Sequence, residues 1–105
     1  MSSASILVVD DNPVNLTLLH DLLSREGYLL ASASSGQDAL AYVRNNLSLD
    51  LVLLDVAMPD ITGIEVCDIL KHDPQTAHIP IVLISAKLVD DDSIRRGLDS
   101  GAEGY

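Results

Sequence analysis

Four side chains have the types and positions for chemistry: Asp10 with the adjoining Asp11, then Asp55, then Ser85. Each alone has an ordinary explanation. A single Asp or Asn after a strand usually caps a helix or turns the chain, and a Ser in such a place commonly does the same. As a set, three carboxylates and a hydroxyl are harder to dismiss. Clustered carboxylates repel one another and raise the cost of ionisation, so they persist usefully where a cation compensates them. Oxygen-only ligands suit a hard cation, and Mg²⁺ keeps several waters while taking one or two carboxylates. Whether these residues can meet depends on the elements that carry them.

Short apolar runs alternate along the chain with segments of helical period, without an internal repeat or low-complexity tract. Strands are expected at Ser5–Val9, Leu29–Ala33, Leu51–Leu54 and Ile81–Ile84. The first, third and fourth are continuous apolar runs, as in strands covered on both faces, whereas Leu29–Ala33 is weaker and suits a place nearer an edge. Asn12 and Pro13 fit the cap and first position of a helix whose apolar face is Val14, Leu18 and Leu22 with Leu19 and Leu23, ended by Gly27. A second, shorter helix follows Ser35-Gly36 and carries Ala39, Leu40 and Val43. A third carries Ile64, Val66, Cys67, Ile69 and Leu70 and stops before Pro74. A fourth starts near Asp90-Asp91-Asp92, whose charges complement its positive end, and stops at Gly101.

Strand–helix alternation of this kind predicts an α/β fold: a parallel sheet with right-handed crossovers and helices on both faces. In such folds the site lies outside the carboxyl ends of the strands. Asp10-Asp11 follow the first strand, Asp55 the third and Ser85 the fourth, so all four converge on one edge. A flavin or nucleotide site would place a glycine- or hydroxyl-rich phosphate cradle after the first strand. Asp10-Asp11-Asn12-Pro13 has two negative charges and no glycine there. A dehalogenase-type phosphatase would want a second carboxylate two residues after its nucleophilic Asp, where this chain has Ala57. Turnover of an external substrate, as in a Mg²⁺-dependent hydrolase, is therefore not expected.

Composition narrows the class further. A length of 105 residues suffices for one domain, and a 48% hydrophobic fraction without Phe or Trp implies an aliphatic core. Six Lys and Arg against 16 Asp and Glu give a net charge of −10. Such a surface repels phosphate backbones, so direct nucleic-acid binding is not expected, while a cation or a basic partner face suits it. Cys67 is the only cysteine, which excludes an intrachain disulfide and fits a reducing compartment. The N-terminal residues have no basic region followed by a long apolar stretch, and the longest apolar runs are far too short to span a bilayer. A soluble, cytoplasmic module without membrane contact is expected.

The chain resembles the response regulator receiver domain of two-component signalling. The matching stretches are Ile6 to Asn12, Leu53 to Gly63 (Leu-Leu-Asp-Val-Ala-Met-Pro-Asp-Ile-Thr-Gly), Ile79 to Ala86 and Gly101 to Tyr105, so the likeness runs over essentially the whole chain. It implies a flavodoxin-like doubly wound sheet of strand order 2-1-3-4-5. It also implies that Asp55 accepts a phosphoryl group from a phosphohistidine on a sensor histidine kinase or phosphotransfer protein. Asp10, Asp11, Asp55 and the Ala57 backbone carbonyl would hold Mg²⁺, and Ser85 would hydrogen-bond a phosphoryl oxygen beside the small Ala86. Met58, Pro59 and Gly63 fit a shaped loop before the third helix, or plain core and turn positions.

The sequence departs from the family at its end. The family has a fifth strand and helix, with a phosphoryl-pairing lysine and an aromatic switch residue on that strand, and residues 1–105 reach only to where it should begin. Lys87, two positions after Ser85, is not that lysine. The expected domain is thus a receiver truncated at the fifth βα unit, with room for an output domain beyond residue 105. A chain ending there would leave the fourth strand at the sheet edge, open to self-association with a second copy. The competing class is a receiver-like interaction module that no longer responds to phosphate. His20, His72 and His78 share no metal-ligand spacing, and His20 is expected at the surface.

Overall fold

The computed structural model describes residues 4–58 and 60–84. Within them the order is β1 (Ser5–Val9), α1 (Pro13–Ser24), β2 (Leu29–Ala33), α2 (Gly36–Asn45), β3 (Leu51–Asp55), α3 (Gly63–His72) and β4 (Ile81–Ile84). The expected fourth helix and Ser85 lie outside the described residues.

The sheet is parallel throughout, in the order β2-β1-β3-β4. This is the flavodoxin-like arrangement, and the weaker run β2 is an edge, as its composition suggested. Among the described residues β4 pairs with β3 alone and forms the other edge of the sheet.

Side chains alternate between faces along each strand. Leu7, Val9, Val52, Leu54, Ile81 and Leu83 point to one face and join Ala39, Leu40 and Val43 of α2 and Val66, Cys67 and Leu70 of α3 in a single buried cluster. The helices start where their caps dictate. The Asn12, Ser35 and Thr62 side chains accept hydrogen bonds from the Val14, Asp38 and Glu65 amides. Gly27, at φ 84°, ends the turn after α1, a backbone conformation that side chains disfavour.

α1 departs from expectation. None of its residues is buried, and Val14, Leu18 and Leu22 are 63%, 56% and 59% exposed. Leu16, Leu19, His20 and Leu23 are only half-buried. His20 is therefore not a surface residue: its Nε2 is shielded from solvent and has no partner among the described residues. The helix carries leucines around more than half its circumference, so periodicity alone does not say which stripe faces the sheet.

Candidate functional site

At the carboxyl end of β1 the chain continues into Asp10, whose amide donates to the Ala33 carbonyl of β2 at 3.1 Å. This pairing draws Asp10 into the fold, where it is only 4% exposed. A buried carboxylate needs donors, and two are supplied locally. The Asn12 amide donates to Oδ1 at 2.9 Å, and Asn15 Nδ2, from the first turn of α1, donates to Oδ2 at 3.1 Å. Asp11, the next residue, is exposed.

Asp55 closes β3, aligned with Ile84 of β4, and the Val56 amide donates to the Ile84 carbonyl at 3.0 Å. Its side chain shares the Leu51 and Leu53 face, toward α1. The Ala57 amide folds back to donate to Asp55 Oδ1 at 3.2 Å. Gly63 closes this loop, its amide donating to the Val56 carbonyl at 2.8 Å. A Cβ at Gly63 would run into the Asp55 backbone carbonyl, so only glycine permits α3 to begin so close to β3.

The two strand ends bring carboxylate oxygens of Asp10, Asp11 and Asp55 within 4.8 Å of one another. Asp55 reports what that costs. Its carboxyl is raised to about 6, chiefly by burial; the Ala57 amide partly offsets this, and the neighbouring charges of Asp10 and then Asp11 add to the rise. Three carboxylates graded from buried to exposed, one already short of compensation, suit a hydrated hard cation. Asp10 and Asp55 also border a groove of about 390 Å³ between α1 and the β3–β4 side of the sheet, lined further by Asn15, Leu18, Leu19, Leu22 and Ile84.

Of the residues singled out from the sequence, Asp10, Asp11 and Asp55 are brought together. Ala57 lies beside them as an exposed residue with its amide on Asp55. Met58 packs against the buried cluster, its plain structural role. Two residues were missed. Asn15 carried a faint signal, a polar side chain in a leucine-rich helix five positions after Asp10. Asp60 carried none beyond its turn-like setting, yet its carboxylate accepts the Gly36 and Gln37 amides at 3.0 and 2.9 Å.

Residues 6–105 match the family model of the response regulator receiver domain. The chain belongs to that family. It is 48% identical over 103 residues to Response regulator PleD of Caulobacter vibrioides, a match covering 98% of this chain and 22% of PleD. The chain thus spans less than a quarter of that relative's length. Among solved structures, the chemotaxis protein CheY4 of Vibrio cholerae superposes with a TM-score of 0.90 at 27% identity, over 99% of this chain and 85% of CheY4. The phosphorylated cyanobacterial phytochrome response regulator RcpA superposes with a TM-score of 0.89 at 29% identity, over 99% of this chain and 79% of RcpA.

Proposed function

We propose that this chain is a phosphoacceptor in a two-component phosphorelay, with Asp55 as the acceptor. The observation that carries this is the meeting of Asp10, Asp11 and Asp55 at adjacent strand ends. A carboxylate oxygen of Asp55 attacks the phosphorus of a phosphohistidine on a sensor kinase or phosphotransfer protein. The P–N bond breaks, the imidazole nitrogen leaves with the electron pair and takes a proton, and a mixed anhydride remains on Asp55. Asp10, Asp11, Asp55 and the Ala57 carbonyl would hold Mg²⁺, which would supply charge neutralisation at the carboxylate and the transferring phosphoryl group.

The chain's own groups prepare the acceptor. Asn12 and Asn15 hold Asp10 in place, and the Ala57 amide orients Asp55. Ser85 donates to a phosphoryl oxygen in this reading. That RcpA, a structural relative, exists in a phosphorylated state supports phosphoryl acceptance by this chain. Only self-catalysed acceptance and hydrolysis are proposed, without turnover of an external substrate. The setting is cytoplasmic, with output coming from a further domain or partner. Among the described residues, no helix is long and apolar enough to cross a membrane.

Incubating the protein with acetyl phosphate and Mg²⁺ and reading its intact mass tests the proposal. One added phosphoryl group is expected, and none on a folded Asp55→Asn variant. A folded wild-type protein that binds Mg²⁺ yet gains no mass would instead be an interaction module that signals without phosphate.

A further inference from the structure

We infer that Asp60 is a positioning residue, one that sets the loop between β3 and α3, and through it the site at Asp55, by clamping that loop to the start of α2. The inference rests on the proposed acceptor role of Asp55 for its functional consequence, but the clamp itself is a matter of geometry.

The first amides of a helix lack partners within it. In α2, Ser35 Oγ serves the Asp38 amide locally, at 3.1 Å. The Gly36 and Gln37 amides are served from 24 and 23 residues away, each by one oxygen of Asp60. An ionised carboxylate accepting two amides at a positive helix end makes a strong, directional contact. These amides, with that of Ile61, hold the Asp60 carboxyl down at about 2, although it is solvent-exposed.

A second observation joins the same two elements. Gly36 is buried, and a Cβ there would collide with Cγ1 of Ile61, the residue after Asp60, and approach Val66 Cγ2 at 3.0 Å. The loop thus rests directly on the backbone of α2. Its other end is pinned where Gly63 meets the Asp55 and Val56 backbone. The Ala57 amide, which contacts the acceptor carboxylate, lies on the segment held between these anchors. Asp60 does not belong to the acidic cluster. Its influence passes through the loop.

Two variants separate this role from simple helix capping. Ser35→Ala removes a cap of α2 without touching the loop, whereas Asp60→Ala removes the clamp; Asp60→Asn keeps an acceptor oxygen and serves if Asp60→Ala fails to fold. Hydrogen exchange at the Gly63 amide is followed in metal-free protein, and Mg²⁺ affinity by titration. Asp60→Ala is expected to speed Gly63 exchange about tenfold, the scale set by losing charge-assisted hydrogen bonds, and to weaken Mg²⁺ binding by about threefold to tenfold. Ser35→Ala is expected to change neither. Wild-type exchange at Gly63 in a folded Asp60 variant, or an equal change in Ser35→Ala, overturns the inference. If the wild-type protein binds no Mg²⁺, the acceptor reading fails on its own account, and Gly63 exchange alone decides the clamp.

Discussion

The two faces of the sheet are finished differently. Beneath α2 and α3 the packing is closed: Val43, Val66, Cys67 and Leu70 are essentially without exposure and meet Leu7, Val9, Val52, Leu54, Ile81 and Leu83. On the α1 face, Ile6 and Val8 of β1 are buried, Leu53, Val82 and Ile84 are half-buried, and α1 itself buries no residue. Close packing supplies stability and a rigid footing. The two faces meet at the end of β3, where Leu54 is wholly buried on the first and Asp55 lies on the second.

The contrast can be broken most directly at Leu70, 1% exposed on the closed face. Leu70→Ala is expected to cost about 2–5 kcal/mol in urea unfolding, and a loss well under 1 kcal/mol would show that this face is not closed. Gly63→Ala strikes where the faces join. Because its Cβ meets backbone, about 1–3 kcal/mol of destabilisation is expected, together with weakened Mg²⁺ binding. Stability lost without any change in Mg²⁺ affinity would separate the loop from the site.

Protonation sharpens the open face. The Asp55 carboxyl, raised to about 6, makes the folded state bind protons more tightly than the unfolded chain. In metal-free protein, stability should therefore fall as pH rises from the ordinary carboxylate range through about 6, and then level off. Mg²⁺ competes with that proton, so its affinity should drop by up to about tenfold per pH unit below 6. Flat affinity between pH 5 and 7, measured by titration calorimetry, would remove Asp55 from the ligand set. The smallest effect is expected at Leu18, which is 56% exposed at the border of the groove beside α1. Leu18→Ala should change stability by no more than about 0.5 kcal/mol, and a core-sized loss would mean that Leu18 is covered.

Much of the molecule was legible in order. The apolar runs marked all four strands, the weak Leu29–Ala33 run marked an edge, and Asn12-Pro13 and Gly27 marked the limits of the first helical segment. Because strand ends in parallel sheets share one edge, the sequence alone places Asp10, Asp11 and Asp55 together. These features are local: a hydrophobic period, a cap or a turn depends on neighbours within a few residues.

Tertiary structure decided what depends on distant partners. Val14-Leu18-Leu22 and Leu16-Leu19-His20-Leu23 are both plausible inner stripes on a helical wheel, and only docking onto β1 and β2 selects the second. Asn15 on Asp10 and Asp60 on the start of α2 are hydrogen bonds whose existence turns on fractions of an ångström in the path of two loops. The types and order of residues specify that carboxylates will gather. Which amides orient them is settled only when the packed sheet brings Gly63 against Asp55 and Gly36 against Ile61, because backbones can come so close only once the chain is folded.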